Sequence, residues 1–411
     1  MRHRNFALYF GGLTVSQVGD WMETTTTSWL LYRITADPIL LGLAGGIRAL
    51  SIVLFGLLGG AIADRTDRKR LLFITQSGFA LSSLALGALV LAGLLEPWHV
   101  YVFSATNGAL GSFDAPARRA LFPSLVPRSE MQNAVVLNAA VFRLARLVGP
   151  ALAGVVIVFF GPAVCYFVNV ASYAAILVAL GLMDVAHVVQ PIAGRLHHDI
   201  ADGLRYVLRR PLLRGVLFLE ATHSLFGVNT ALITILASDV LHTGPEGLGL
   251  LLSAQALGAL LGTTALVVSG DIEEKGRAML ISGTVYCLAL AALAGATTFE
   301  VAALLLLVGA VTDAFWTAMR NTIFQLQAAE EYRGRALSTV LLAGRGFTQG
   351  AQLEYGVAVS AGGPGFAALL GSGMIVASLV LVNWRSDAVR RFRGMPDPLS
   401  AAGRTTGDPP A

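Results

Sequence analysis

The sequence carries little charge for its length, and this scarcity limits what kind of protein it can be. Only 13% of the 411 residues are Asp, Glu, Lys or Arg, 55% are hydrophobic, and the mean hydropathy is +0.68. Soluble domains carry about a quarter charged residues. The apolar runs are long and unbroken, and about 20 apolar residues cross a hydrocarbon core as a helix. We therefore expect an integral membrane protein built from helices and not from barrel strands.

Other chemical features are also scarce. The two cysteines, Cys165 and Cys287, lie in apolar runs of opposite halves, so we expect no disulfide. The sequence has no GxxxxGK[ST] loop and no HExxH motif, and His197 and His198 have no ligand set nearby beyond Asp199. We therefore expect no enzyme, no metal site and no cofactor. The net charge of +4 is spread over short loops, which argues against a nucleic-acid partner.

A regular series of apolar runs predicts an all-α fold with twelve membrane spans. The spans are expected near residues 6–32, 38–63, 71–94, 98–117, 131–159, 162–183, 212–240, 246–269, 276–297, 299–319, 333–359 and 363–384. One polar interruption divides the chain into an N-terminal six-helix half (1–183), a linker (184–211), a C-terminal six-helix half (212–384) and a cytoplasmic tail (385–411). We expect an amphipathic helix in the linker and disorder in the tail.

A short charged stretch between the second and third spans sets the expected orientation. Gly60 to Arg70 reads GAIADRTDRKR, and four of its six charges are basic, which places it in the cytoplasm. Arg33 is then the single Lys or Arg outside, while 24 of the 29 are cytoplasmic. Both termini are expected to be cytoplasmic, and the basic N-terminus runs into an apolar segment too long for a signal peptide.

The two halves resemble each other in sequence. NGALGSFDAPARRALFPSLVPRSEMQNA leads into the fifth span and VGAVTDAFWTAMRNTIFQLQAAEEYRGR into the eleventh, with Gly108 matching Gly309 and Arg119 matching Arg320. The loop GDIEEKGR, residues 270–277, stands where GAIADRTDRKR stands in the first half. We infer that a six-helix unit has been duplicated, as in many transporters.

Twelve spans in two repeats with this charged loop resemble the major facilitator superfamily over nearly the whole chain. The family's loop pattern is Gly, three residues, Asp, a basic residue, one residue, Gly and two basic residues. It is represented here by Gly60, Asp64, Arg65, Arg68 and Lys69, with Asp67 in place of the second glycine. The resemblance implies that Asp64 latches the cytoplasmic side shut by meeting a helix N-terminus of the other half. The alternative is that these charges only fix the topology.

Other segments look like bacterial exporters of the enterobactin-exporter and macrolide-efflux type. They are GDW at 19–21, SFDAPARRALFPSLVP and NAAVFRLARLVGPALAG. Within the last, Gly149, Pro150 and Gly154 are similar to a fifth-helix motif associated with antiporters. Proline and small residues also let membrane helices bend and pack closely, so a structural role and an antiport role both remain open.

Ionisable residues inside the first two spans are candidates for proton coupling, because burying a charge in a membrane is costly unless it pairs or meets water. Asp20 and Glu23 lie one turn apart near mid-membrane, and Arg48 of the second span lies at a similar depth. A carboxylate that loses water and later meets an arginine could bind and release one proton per cycle. The alternative is a permanent structural ion pair with Arg48.

Three arginines of the fifth and eleventh spans are expected to face one central cavity: Arg143, Arg146 and Arg345. Two of them would pair with carboxylates of the first or tenth span, and one would meet an anionic substrate group. Arg146 lies in the LARLVGP run of the exporter resemblance, which favours a structural role for it.

Three residues of the C-terminal half complete the candidate cavity. Glu220 and His223 are one turn apart in the seventh span, so His223 is either a packed core residue or a titrating group beside a glutamate. Asp313 of the tenth span is a candidate for the same cavity or for a capping or packing role.

With the resemblance, these residues favour a secondary transporter in the bacterial cytoplasmic membrane that exports a small amphipathic compound, such as a drug or siderophore, by alternating access. Proton antiport would supply the energy, so the expected partners are the substrate, protons and membrane lipids, with the chain acting as a monomer. An importer or uniporter of a small metabolite is the second hypothesis, because fold does not set direction. A membrane-bound enzyme is the third.

Overall fold

The computed structural model describes residues 4–184, 196–385 and 387–393, without the side chains at 57, 60, 61, 63–65, 196–201, 330–343, 345 and 346. This part of the chain is helical throughout apart from its connections. The helices are α1 Arg4–Thr35, α2 Pro38–Arg65, α3 Arg68–Leu91, α4 Pro97–Leu121, α5 Met131–Phe160, α6 Pro162–Leu182, α7 Leu196–Arg209, α8 Pro211–Phe226, α9 Thr230–Ile235, α10 Pro245–Ser269, α11 Lys275–Leu293, α12 Phe299–Gln327 and α13 Glu330–Arg385. Within it, nine helical stretches are long and apolar enough to cross a membrane.

The helices begin and end where the sequence supplies caps and turns. Asp37 caps α2 by accepting a hydrogen bond of 2.7 Å from the Ile39 backbone N–H, and Pro38 occupies the first helical position. Gly161 has φ 84° in the turn between α5 and α6, a conformation that favours glycine. These local signals make the short connections that join consecutive helices.

The helices form two bundles. In the first, α1 packs against α5 and α6, while α4 packs against α2 and α3. In the second, α12 packs against α10 and α11, and α13 against α8. The bundles meet where α2 packs on α13 and α5 packs on α10. A space between the bundles is therefore bordered by helices of both.

The seventh predicted span, 212–240, is not one helix. It breaks between α8 and α9 at Gly227 and Asn229, and a π-helical turn follows at Leu236–Val240. The freed backbone groups are satisfied by side chains, since Val228 N–H donates to the Tyr286 hydroxyl at 2.7 Å and the Tyr355 hydroxyl donates to Phe226 O at 2.7 Å. Such breaks are tolerated in membranes where neighbouring helices replace the lost hydrogen bonds.

The last two predicted spans lie in α13, which consists of two helices on either side of a kink at Gly363, whose φ is 82°. Pro364 follows, so the kink coincides with a residue that cannot donate a backbone hydrogen bond. The predicted boundary, at residues 360–362, lies just before this kink.

The chain after α13 packs against the second bundle over residues 387–393, where the sequence predicts disorder. Val389 is 1% exposed and Phe392 is 8% exposed. Gly276 N–H donates to Phe392 O at 3.2 Å, and Arg393 donates to Glu274 at 2.8 Å. Two apolar side chains among the arginines of this segment account for the docking. Residues 394–411, the rest of the predicted disordered tail, lie outside the described part of the chain.

This docking is expected to depend on pH through Glu274. Hydrogen bonds from Arg277 and Arg393 lower the pKa of Glu274. Because the pKa of Glu274 is lower in the folded state, the contribution of Glu274 to the stability of the docked segment is present above the ordinary pKa. It is lost as the pH falls through the lowered pKa. Hydrogen exchange of residues 387–393 should therefore be faster in Glu274→Gln than in the unmodified protein at pH 7, and the difference should vanish in acid. Glu273→Gln is the matched control, and an equal effect there would contradict the assignment.

Candidate functional site

The carboxyl groups of Asp20 and Glu23 project from α1 into a buried polar cluster between α1, α3 and α6. Glu23 is 6% exposed and accepts hydrogen bonds from the Ser83 hydroxyl and from Asn169 Nδ2, the latter at 2.9 Å. Asp20 accepts a hydrogen bond of 2.6 Å from the Tyr173 hydroxyl. All of these donors are neutral. Among the described residues, neither carboxyl group has a cation in direct contact.

Arg48 lies at the depth that the sequence predicts but forms no ion pair with either carboxyl group in the described part of the chain. The helix α2 packs on α4, where a methyl group on Gly108 would lie 2.8 Å from the Arg48 carbonyl oxygen. The carboxyl-bearing face of α1 instead turns toward α3 and α6. Sequence depth alone cannot give this rotation of one helix about its axis.

A third buried carboxylate, Asp114 of α4, was not among the predicted candidates. It forms an ion pair with Arg118 and accepts hydrogen bonds from Thr75 at 3.0 Å and from Gln76 at 2.7 Å. Its charge is therefore compensated, in contrast to Asp20 and Glu23.

The second bundle has a compensated buried charge pair at Glu220. Glu220 of α8 forms an ion pair with Arg320 of α12, and both side chains are under 10% exposed. Glu220 also accepts hydrogen bonds from Trp316 Nε1 at 3.0 Å and from Ser224 at 3.1 Å. Arg320 donates in addition to Asn321 Oδ1 at 3.1 Å. This pair ties α8 to α12.

His223 and Asp313 form a second pair one turn away. His223 Nε2 lies 2.8 Å from Asp313 Oδ1, and the imidazole lies between the rings of Tyr286 and Trp316, with centroids at 4.4 and 4.8 Å. The His223 side chain is 8% exposed, whereas that of Asp313 is 45% exposed. His223 is thus both packed among aromatic rings and paired with a carboxylate.

A cavity of about 240 Å³ lies beside these pairs. Its lining joins both bundles, since Arg146 comes from α5 and Gln255, Glu220, His223 and Asp313 come from the second bundle. Arg146 donates to Gln255 Oε1 at 3.2 Å, and its guanidinium lies 5.4 Å from the centroid of the Trp21 ring. The sequence expectation that charged residues of both halves share one cavity agrees with this arrangement for Arg146 and Asp313.

Of the other two predicted arginines, Arg143 does not line this cavity. Arg143 lies one turn before Arg146, is partly exposed and has no ion-pair partner among the described residues. Arg345 lies in α13, and its side chain is outside the described residues.

Small residues let α5 pack closely both within its bundle and against the second one. Gly149 lies against Trp21 of α1 in the same bundle, and a methyl group on Gly154 would lie 2.7 Å from Glu246 Cα of α10 in the second bundle. Pro150 lies inside α5 without interrupting it. The Ser253 hydroxyl of α10 donates to Leu147 O at 2.6 Å. The Gly149, Pro150 and Gly154 motif therefore has a packing role in this structure.

The two bundles are joined at the end away from the α2–α3 loop. There the Tyr32 hydroxyl of α1 donates a hydrogen bond to Asp239, in the turn after α9. We call this the closed end of the bundle contact. At the other end, residues 131–144 of α5 bury only Ala134 and Val141, and Val135 and Val136 are 51% and 62% exposed.

Comparison with known proteins decides the family. The family model described as a transmembrane secretion effector matches residues 1–399. The chain belongs to that family. Its members are transporters of the major facilitator superfamily and not enzymes, so the resemblance inferred from sequence is confirmed.

Three of the similar proteins illustrate the range of relatives. The enterobactin exporter EntS of Citrobacter koseri is 26% identical over 351 residues, which is 83% of this chain and 82% of that protein. The staphyloferrin A transporter of Staphylococcus aureus is 24% identical over 348 residues, 81% of this chain and 84% of the relative. YfiS of Bacillus subtilis, an uncharacterized transporter, is 26% identical over 256 residues, and the match spans only 60% of either chain.

Among solved structures, the nucleoside transporter NupG superposes with a TM-score of 0.71. It is 14% identical, and the superposition covers 93% of this chain and 98% of that one. This likeness shows the fold, that of a multi-pass helical membrane transporter.

Within the family's loop pattern, two basic residues bind helix ends of their own bundle. Arg68 donates to Ala120 O at 3.0 Å, and Lys69 Nζ donates to Met183 O at 2.6 Å. These carbonyls lie at the C-terminal ends of α4 and α6, where the helix dipole favours cations. Asp67, which replaces the second glycine, caps α3 by accepting a hydrogen bond of 2.7 Å from Arg70 N–H.

Gly60, Asp64 and Arg65 belong to α2 by their backbone, but the surroundings of Gly60 and the side chains of Asp64 and Arg65 lie outside the described part of the structure. The latch assigned to Asp64 by resemblance stays a prediction.

Proposed function

We propose that the chain is a secondary active transporter that exports a small amphipathic compound in exchange for protons. In this proposal twelve spans form two six-helix repeats. They are α1 to α6, the broken pair α8 and α9, α10 to α12, and the two parts of α13 on either side of Gly363. Both termini are cytoplasmic, and the protein works as a monomer in the cytoplasmic membrane of a bacterium. The proposal for export rests on the relatives, one of which is named an enterobactin exporter.

The observation that carries proton coupling is the contrast among buried carboxyl groups. Asp114 and Glu220 each have an arginine partner, which compensates a carboxylate charge. Glu23 and Asp20 have only neutral donors in the described structure. An uncompensated carboxylate is costly to bury in a membrane, so a neutral carboxyl group with a bound proton suits this site. The proton would leave when a movement of the bundles admits water or a cation.

The proposed cycle assigns the two bundles different tasks. The first bundle carries the proton at Glu23 or Asp20, and the cavity beside Arg146 and Asp313 holds the substrate. Because Trp21 follows Asp20 in α1 and its ring faces the Arg146 guanidinium, a shift of α1 can link the two sites. The charged α2–α3 loop, proposed to be cytoplasmic, marks the side from which the substrate enters, since the bundles are joined at the opposite end.

The test uses purified protein in liposomes with an imposed proton gradient, and lipophilic dyes and a catecholate siderophore as transported compounds. We expect gradient-driven movement that is lost in Glu23→Gln, in Asp20→Asn or in both. Glu300→Gln, which removes an exposed carboxylate at the start of α12, should leave it unchanged. Movement that ignores the gradient and survives both cluster substitutions would overturn antiport. Movement with the proton gradient would indicate an importer, and equal passive movement a uniporter.

A further inference from the structure

We infer that the cavity recognises an anionic group of its substrate, and that Arg146 is the residue that binds it. This inference rests on the proposed transport function and adds the chemical class of the compound. It departs from the structural role that the sequence resemblance favours for Arg146.

The charged groups around the cavity differ in their direct partners. Glu220 and Arg320 neutralise each other, and Asp313 is hydrogen-bonded to His223 at 2.8 Å. Asp313 lines the same cavity and attracts Arg146 at longer range. The direct contacts of Arg146 in the described structure are a neutral amide oxygen of Gln255 and the face of Trp21. No carboxylate of the described residues lies within ion-pair distance of it. An arginine at this depth in a membrane protein normally meets an opposite charge.

The guanidinium of Arg146 has N–H donors that no described residue uses. Arginine has five N–H donors, and a single amide oxygen accepts from one of its nitrogens here. The guanidinium carbon lies over the Trp21 ring, 5.4 Å from its centroid, and the ring has no acceptor oxygen for the guanidinium N–H groups. The fork of N–H donors in a guanidinium matches the two oxygens of a carboxylate or a similar anion. Arg146 lines the cavity, so a bound molecule can reach these donors.

The apolar part of the cavity lining suits an amphipathic anion. Leu290, Leu293, Leu305 and Leu306 line the same cavity. A compound with an anionic group at Arg146 can therefore place an apolar or aromatic part against these leucines. A fully hydrated inorganic anion would gain nothing from them.

Binding to the purified full-length protein tests this inference without any gradient. Isothermal titration would use three probes that share one ring system: 2-naphthoate, 2-naphthamide and the cation 2-naphthylmethylammonium, each corrected for empty micelles. We expect 2-naphthoate to bind about tenfold or more tightly than the other two, since a hydrogen bond to a charged group is worth about 1.5–3 kcal/mol. In Arg146→Gln its affinity should fall to that of the amide, and Arg146→Lys should recover part of it.

Arg143→Gln is the matched control, because Arg143 lies one turn away on the same helix and does not line the cavity. Equal binding of all three probes, tighter binding of the cation, no saturable binding of 2-naphthoate, or an equal loss in Arg143→Gln would each overturn the inference. Gradient-driven movement of a cationic dye in liposomes that persists under such a result would leave the proposed transport function standing. If the selective binding of 2-naphthoate and the gradient-driven movement of the dye are both absent, the inference and the proposed transport function are rejected together.

Discussion

Replacing Arg320 with methionine is expected to lower the free energy of unfolding by about 3–5 kcal/mol, because removing one partner of a buried ion pair leaves an uncompensated charge. Glu220 would keep its hydrogen bonds from Trp316 and Ser224 but lose its cation. Reversible unfolding of the purified protein in mixed micelles, followed by circular dichroism, measures the change.

Two further variants separate the buried charge from simple loss of packing. The double variant Glu220→Gln with Arg320→Met should recover much of the loss, since neither charge is then left alone. Arg277→Met breaks a pair with Glu274 whose side chains are 66% and 38% exposed, and should cost much less, because water screens an exposed pair. Equal losses in Arg320→Met and Arg277→Met, or a double variant as unstable as the single one, would reject this account of the pair.

Arg320 also shows where hydropathy stops being informative. The apolar run of the tenth predicted span ends near residue 319, whereas α12 continues to Gln327. The fourth span is similar, with a predicted end near 117 and an observed end of α4 at Leu121. In both helices the last turns face protein or a polar cavity instead of lipid, so they carry arginines that a hydropathy profile places outside. Arg118 and Arg320 were missed for this reason.

The match between the two halves of the sequence did not identify the buried arginine of α4. It matches Arg119 with Arg320, yet Arg119 is exposed and Arg118 is the arginine that pairs with Asp114. A shift of one residue turns a helical side chain by about 100°. The signal that was available is the spacing of Asp114 and Arg118, four residues apart in one helix, which favours an ion pair.

The acidic residues of α1 were predictable because charge inside an apolar run is rare, and Asp20 and Glu23 do share one buried cluster. Their partners were not predictable, since Ser83, Asn169 and Tyr173 come from α3 and α6 and are ordinary polar residues in sequence. The same limit applies to Gln255, which contacts Arg146 from the other bundle. Neutral polar residues in spans become informative only when the fold brings them to a charge.

The sequence also did not reveal which glycines lie at the closed end of the bundle contact, although these glycines determine how near the bundles approach. A methyl group on Gly249 of α10 would lie 3.0 Å from the Pro150 carbonyl carbon and 3.3 Å from Ala151 Cα of α5. A methyl group on Gly42 of α2 would lie 2.9 Å from Leu353 Cα of α13. Backbone cannot move aside as a flexible side chain can, so larger residues here must push the bundles apart.

Gly249→Leu is therefore expected to favour the state in which this end is open. Overpacking costs about 1–3 kcal/mol. Because this cost destabilises only the closed state, the ratio of open to closed molecules should rise about 5- to 150-fold. The measurement is the labelling rate of a single cysteine at Thr317, a cavity residue, after Cys165 and Cys287 are replaced by serine. A membrane-impermeant maleimide would be applied from the side of the α9–α10 connection. Transport should fall as labelling rises.

Gly373→Leu is the matched control, because a methyl group at Gly373 in α13 would have no neighbour within 4 Å. It adds the same side chain to a helix of the same protein without touching the bundle contact. If Gly249→Leu and Gly373→Leu leave the labelling rate alike, backbone contact at Gly249 does not hold this end closed. If labelling rises only in Gly249→Leu while the Glu23→Gln variant keeps the unmodified rate, closure depends on the packing of small residues and is independent of the charge at Glu23.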